Sequence, residues 1–172
     1  MKRFILLIIT LVAFEFGFAQ SYGFAGCYNP QTEGYGIDLR AVYRISSLEI
    51  SPQITFYPPL NKVNEVYAGA SLHVPFLATN DIRAYVLANA SYDAWLNYMD
   101  SPKLNAKMNN FSADFGAGLV WQHCLNPFAE FRYNPIFRET SIRVGVLVDL
   151  TCGSPPGGYH GGTLRSINCP GF

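Results

Sequence analysis

The stretch that decides the fold is residues 35–57, which read YGIDLRAVYRI, then SS, then LEISPQITFY. Apolar and aromatic side chains stand at the odd positions of 35–43, whereas charged residues such as Asp38 and Arg40 stand at even positions. After the two serines, apolar side chains stand at the even positions of 48–56. Because successive side chains of a strand point to opposite faces, this alternation predicts two antiparallel strands joined by a tight turn.

The same period of two recurs along the rest of the chain. Five further runs show it, at residues 65–74, 83–93, 111–122, 128–133 and 141–150. Together with the first two runs, they predict seven strands in an all-β chain. One departure is Pro52, which lies inside a predicted strand and has no N–H to donate. We therefore expect a bulge or a solvated rim at that position.

Connection lengths supply an eighth strand. The links at 45–48 and 124–127 are short, whereas Leu96–Asn110 is a long polar loop. Membrane barrels alternate short periplasmic turns with longer external loops, so this arrangement requires one more strand before Tyr35. The segment Ser21–Cys27, in which aromatic residues alternate with small ones, is the candidate. The sequence thus predicts an eight-stranded antiparallel up-and-down transmembrane β-barrel with a short C-terminal tail.

The N-terminal region, residues 1–19, has the layout of a secretory signal peptide. Lys2 and Arg3 precede an apolar run at 4–14, and small residues including Ala19 follow it. A membrane-spanning helix needs about 20 apolar residues, so this run is too short to be an anchor. Beyond Ala19 no apolar stretch reaches that length either, which leaves strands as the means of crossing a membrane.

Composition excludes two classes of protein. The chain has 172 residues, 49% of them hydrophobic and 15% aromatic, which is enough apolar surface for one folded domain and argues against disorder. Its 12 basic and 12 acidic residues leave no excess of positive charge, so we expect no nucleic-acid partner. We divide the chain into a signal peptide at 1–19, a transmembrane barrel at 20–151 and a Gly/Pro-rich periplasmic tail at 152–172.

Composition also indicates which face of each strand meets lipid. All four lysines lie in the signal peptide or in predicted loops, whereas a solvated strand face would carry several. The polar faces carry arginines and carboxylates instead, and an arginine facing lipid near the midplane would cost about 2–4 kcal/mol. We therefore predict that these rows form an ion-pair network that fills the lumen. Its predicted members are Asp38, Arg40, Arg44, Glu49, Arg83, Asp114, Glu130, Arg132, Arg143 and Asp149.

Aromatic residues near the strand ends are typical of the interfacial girdles of membrane barrels. The predicted girdle residues are Tyr35, Tyr43, Phe56, Tyr92, Trp95, Phe111, Trp121 and Tyr133. A soluble barrel with its apolar faces turned inward has the same period of two, and it is the alternative to the membrane interpretation.

Few residues suggest chemistry. His73 follows Ser71 on the predicted inward face, which is more typical of a hydrogen-bonded pair than of a catalytic one. His123 and Cys124 are neighbours in sequence, and neighbours in a strand point to opposite faces, so they do not predict a metal site. We expect no catalytic residue, no metal and no cofactor, and hence no enzyme.

The cysteines suggest disulfides. Four remain after residue 19, an even number typical of an oxidising compartment. Cys124, Cys152 and Cys169 fall at the predicted periplasmic end or in the tail, whereas Cys27 falls near the external end. All four are candidates, and a Cys124–Cys152 or Cys152–Cys169 bridge is easier to close than one to Cys27. The sequence leaves the pairing open.

Over roughly Ser21–Leu150 the chain resembles the small eight-stranded outer-membrane proteins of the OmpX and OmpA-barrel type. The cleavage context Phe18-Ala19-Gln20 resembles that of Bacteroidetes-type outer-membrane proteins. The resemblance implies a location in the bacterial cell outer membrane and contact with outer-membrane lipid. Barrels of this type usually end at the last strand with an aromatic residue, whereas this chain continues as a tail to Phe172.

For function, we expect a non-enzymatic structural or accessory subunit of an envelope assembly, such as secretion or surface-attachment machinery. The tail would be the segment that docks to other envelope proteins. Three alternatives stay open: a barrel enzyme that acts on a lipid or a small ligand, a narrow channel, and a soluble secreted β-barrel binding module.

Overall fold

The computed structural model of the chain describes residues 20–58, 64–96, 99, 107–123 and 125–149. Within them, eight strands form one closed antiparallel barrel in the order of the sequence. The strands are β1 (Ser21–Asn29), β2 (Gly34–Ile45), β3 (Leu48–Tyr57), β4 (Glu65–Ala78), β5 (Ile82–Trp95), β6 (Asn109–Trp121), β7 (Leu125–Asn134) and β8 (Glu139–Asp149). The predicted fold class is confirmed. The predicted signal peptide at 1–19 and the tail at 152–172 lie outside the described residues.

β1 closes the barrel. It pairs with β2 on one side, where Phe24 faces Leu39, and with β8 on the other, where Phe24 faces Val146. In a membrane every backbone N–H and C=O must be paired within the protein, and closure removes the two free edges that would leave them unpaired. The eighth strand predicted at Ser21–Cys27 is therefore confirmed, and it extends to Asn29.

The two ends of the barrel differ in the length of their connections. Residues 46–47, 79–81 and 122–124 connect the strands at one end, which we call the short-turn end. Residues 30–33, 58–64, 96–108 and 135–138 connect them at the other, the long-loop end. β1 begins and β8 ends at the short-turn end, as the predicted topology requires. No helix in the described residues is long and apolar enough to cross a membrane.

The apolar side of the strands lies on the outside of the barrel. Ile37 is 46% exposed and Val86 48%, whereas Asp38 and Arg40, on the opposite faces, are 0% and 4% exposed. This orientation is that of a membrane barrel, whose outer surface meets lipid. The alternative of a soluble barrel with an apolar interior and a solvated charged surface is wrong.

Pro52 differs from the expectation. Its strand, β3, keeps one register with β2 on both sides of it, since Arg40 pairs with Gln53 and Tyr43 with Ile50. The β2–β3 ladder lacks the two residue pairs that would lie between these two, one of which would involve Pro52. On its other side, Pro52 still pairs with Ala70 of β4. The missing proline donor therefore opens a short gap in one ladder without a bulge. The register shift in the barrel lies instead between Pro75 and Leu77 of β4.

Most predicted girdle residues lie where expected. Those exposed on the outer surface are Tyr35, Phe56, Tyr92, Phe111, Trp121 and Tyr133, and Tyr43 is partly buried. The prediction is wrong for Trp95, which is fully buried with its ring 5.0 Å from that of Phe137. The reason is the period of two: Trp95 lies two residues after the buried Asp93 and shares its inward face.

Inward glycines make room for large side chains in the narrow lumen. A Cβ atom at Gly118 would lie 2.5 Å from Cζ of Tyr85, and one at Gly36 would lie 2.7 Å from the ring of Tyr57. Both distances are shorter than non-bonded contacts allow, so the two tyrosines fit inside only because these positions lack a side chain.

Candidate functional site

The most distinctive feature of the molecule is the set of polar side chains inside the barrel. At its centre lies Glu130 of β7, which is 2% exposed. Arg40 of β2 donates to Oε1 of Glu130 from Nη1 at 2.6 Å, and Arg132 donates to Oε2 from Nη2 at 2.6 Å. The hydroxyl of Tyr85 donates to Oε1 at 2.7 Å. One carboxylate thus joins two arginines and a tyrosine across the lumen.

Asp38 is the second carboxylate of this group. Its Oδ2 accepts from Nε of Arg40 at 2.6 Å, and its Oδ1 accepts from Nη1 of Arg143 at 2.9 Å and from the hydroxyl of Thr55 at 2.8 Å. We call Asp38, Arg40, Glu130, Arg132 and Arg143 the central network. Charges this deeply buried are tolerated only when they are paired and hydrogen-bonded, and here every member has an oppositely charged partner.

A second group of charges lies toward the short-turn end. Arg83 donates to Oε1 of Glu49 from Nη1 at 2.5 Å, and Arg44 donates to the same oxygen from Nε at 3.0 Å. Arg44 also approaches Asp149 at 3.5 Å, and Nδ1 of His73 lies 3.8 Å from Oε2 of Glu49. We call these five residues the rim cluster. Arg44 is partly exposed, as expected at the mouth of the barrel.

All ten residues predicted for the lumen network therefore lie on inward faces, but in three places rather than one. The tenth, Asp114, belongs to neither cluster and accepts a hydrogen bond from Nδ2 of Asn89 at 3.0 Å. The neutral partners that link these charges were not predicted. Chief among them is Gln53, which accepts from Arg132 and donates to Asn89. Gln53 stands on the polar face of β3, and this position alone could have indicated that its side chain points into the lumen.

Beside the two clusters, part of the lumen is apolar rather than charged. Seven buried side chains pack there: Ala25, Val42, Tyr85, Leu87, Val120, Phe128 and Leu147. We call them the apolar layer. Phe128 lies against the central network, with the guanidinium carbon of Arg40 4.5 Å from its ring centroid, and Tyr85 stacks on His73 at 4.6 Å. This layer was not predicted, although its members interrupt the charged rows of the inward faces.

The outer half of the lumen, between the central network and the long-loop end, contains a cavity of about 40 Å³. Amide, hydroxyl and charged side chains line it, including Gln53, Asn89, Asp114 and Arg143. The space corresponds to about three water molecules. The lumen therefore holds the buried side chains of the two clusters and the apolar layer, with a small polar cavity toward the long-loop end.

The structure bears on the predicted Ser71–His73 pair and on the predicted disulfides. Ser71 hydrogen-bonds to Asn89 at 3.1 Å, whereas His73 contacts Tyr85 and Glu49, so the two are not hydrogen-bonded to each other. Cys27 is a buried free thiol, so it forms no disulfide. Cys124, Cys152 and Cys169 lie outside the described residues, and a bridge among them stays a prediction. The described residues hold no group of three metal-ligating side chains.

No model of a protein family matches the chain, and no curated protein matches it. Solved structures do. A de novo designed transmembrane β-barrel superposes with a TM-score of 0.56 at 13% identity, over 76% of this chain and 93% of the design. The outer membrane enzyme PagL superposes with a TM-score of 0.52 at 13% identity, over 76% of this chain and 99% of PagL. The fold is that of small eight-stranded outer-membrane β-barrels.

At these identities the likeness concerns the fold alone. It agrees with the outward apolar faces and with lipid as the surrounding medium. The finer predictions, a Bacteroidetes-type origin and an OmpX-like relationship, stay predictions.

Proposed function

We propose that this protein is a non-enzymatic barrel of the bacterial outer membrane that serves as a structural or accessory subunit of an envelope assembly, such as secretion or surface-attachment machinery. The observation that carries this proposal is the filled lumen. The central network, the apolar layer and the rim cluster together occupy the lumen, and Tyr85 of the apolar layer contacts both Glu130 and His73. A barrel whose lumen is occupied by side chains has no open pore, so it would act through contacts made by its surface and its tail.

The position of the last strand supports docking through the tail. β8 ends at Asp149, at the short-turn end, which is the periplasmic end in barrels with this asymmetry of connections. Residues 150–172 follow β8 in the sequence, so we expect the tail to begin on the periplasmic side and to dock to envelope proteins there.

The arrangement of polar residues supports a non-enzymatic role. Nucleophilic catalysis by a serine needs a base within hydrogen-bond reach of its hydroxyl. Ser71 and His73 stand on one face but bind different partners. The likeness to the enzyme PagL carries no reaction to this chain, since it concerns the fold.

The first test is affinity capture from gently solubilised outer membranes. We compare the full chain, a chain ending at residue 151, and a full-length control in which residues 152–172 are scrambled. Envelope proteins captured by the full chain should be lost with both variants, while all three barrels still change gel mobility on boiling. An unchanged set of partners after truncation would contradict the docking role.

The second test addresses the lumen. The purified protein should give no single-channel current steps in planar bilayers, because buried apolar side chains in the lumen oppose the passage of water and ions. Regular current steps from the full-length protein would instead favour the narrow-channel alternative.

A further inference from the structure

The cavity in the outer half of the lumen plays no part in the proposed docking role, and its lining is chemically specific. Its floor is formed by members and partners of the central network, including Gln53 and Arg143, and its walls include Asp114, Tyr57 and Ser141. Its lining residues Asn29, Asn134 and Glu139 lie at the strand ends of the long-loop side.

Arg143 presents unused hydrogen-bond donors at this cavity. Its side chain is more than nine-tenths buried, and Nη1 donates to Asp38 at 2.9 Å and to Thr55 at 3.2 Å. Nε is buried away from solvent without a partner, and Nη2 has no acceptor among the described residues, which leaves Nη2 as the donor available to the cavity. A guanidinium has five N–H donors and is strongly destabilised by burial when they are unmatched. Arg143 is therefore suited to an oxygen acceptor that enters the cavity.

On the wall of the cavity, Asp114 presents a carboxylate, which is a negatively charged hydrogen-bond acceptor. Its Oδ2 accepts from Asn89, and its Oδ1 has no donor among the residues that the structure describes. Within the described ranges no arginine or lysine lies within ion-pair distance of it, in contrast to the other carboxylates of the predicted network. A half-buried carboxylate without a cation is suited to an ammonium group.

We propose that this cavity is a binding site for a small solute that carries both an ammonium group and an oxygen acceptor, with the ammonium on Asp114 and the acceptor on Arg143. A zwitterion satisfies both residues at once, whereas a simple anion would meet the Asp114 carboxylate and a simple cation would leave Arg143 unmatched. The size of the cavity, about three water molecules, limits the enclosed part of the ligand to a few non-hydrogen atoms. Glycine is the smallest zwitterion of this kind.

The experiment is an NMR titration of the full-length protein in detergent micelles, read at the guanidinium resonance of Arg143 and the side-chain amide resonances of Asn89 and Gln53. The probes are glycine, methylammonium and acetate at constant ionic strength. Glycine should give saturable shifts at all three side chains, with a dissociation constant at least about tenfold lower than that of either half-probe.

Two variants locate the site. Asp114→Asn keeps the acceptor for Asn89 and should weaken glycine binding by about tenfold or more. Asp149→Asn removes a carboxylate at the opposite end of the lumen and should leave the binding unchanged. Glycine shifts that do not saturate, equal affinity for methylammonium and glycine, or an unchanged affinity in Asp114→Asn would each overturn the proposal. None of these results depends on whether the tail docks to other proteins.

Discussion

Replacing Glu130 by glutamine tests the central network most directly. Glu130 is almost fully buried and accepts hydrogen bonds from Arg40, Arg132 and Tyr85 at 2.6 to 3.2 Å. Glutamine keeps the shape, but it has one acceptor oxygen in place of two and turns an NH₂ group toward a guanidinium. Removing one partner of a buried ion pair costs about 3–5 kcal/mol, and we expect Glu130→Gln to lower the free energy of unfolding by that amount.

The assay is reversible unfolding by guanidinium chloride in phospholipid vesicles. Tryptophan fluorescence reports it, since Trp95 lies inside the barrel and Trp121 outside. The control is Asp81→Asn, which neutralises an exposed carboxylate in the turn at residues 79–81 and should cost less than about 0.5 kcal/mol. A loss in Glu130→Gln no larger than in this control would refute the idea that the lumen arginines depend on Glu130.

Three further substitutions test other parts of the barrel by the same unfolding assay. Val144→Arg places a cation on the lipid face in the middle of β8 and should cost about 2–4 kcal/mol, whereas Leu125→Arg at the short-turn end should cost about 0–1 kcal/mol; equal losses would contradict the predicted membrane depth. Gly118→Ala should cost about 1–3 kcal/mol by displacing Tyr85, whereas Gly26→Ala, whose new Cβ would lie 3.9 Å from the carbonyl oxygen of Val144, should be nearly neutral. Phe128→Ala should cost about 3–5 kcal/mol by opening the apolar layer, and a loss below 1 kcal/mol would show that the layer is loosely packed.

The fold could be predicted from the sequence because the period of two is a local property. Every strand shows this alternation. The alternation of short and long connections then required one more strand, β1, although the alternating pattern at Ser21–Cys27 is short. The inward direction of Asp38 and Arg143 followed from the cost of placing charge in lipid, which depends on residue type and not on partners. These inferences needed no knowledge of which strands lie across the lumen from one another.

The remaining features depend on contacts across the lumen. Glu130 and Arg40 are 90 positions apart in the sequence, so no local pattern predicts that they form an ion pair. The apolar layer is equally non-local: Val42 and Phe128 each interrupt a polar row, and only the closed barrel brings them together. Trp95 lies at a strand end, where girdle residues are expected, but its odd position in β5 directs its side chain into the lumen.

The charged lumen also explains why the strands hold one register. A shift of β7 by one residue would exchange its two faces and turn Glu130 and Arg132 toward lipid, at about 2–4 kcal/mol for the arginine alone. The same shift would carry apolar outward residues such as Phe131 into the central network, leaving Arg40 without Glu130. Buried ion pairs seldom add net stability over apolar packing. In a barrel whose outer surface is apolar, their contribution is to make a one-residue shift of a strand much less stable than the observed register.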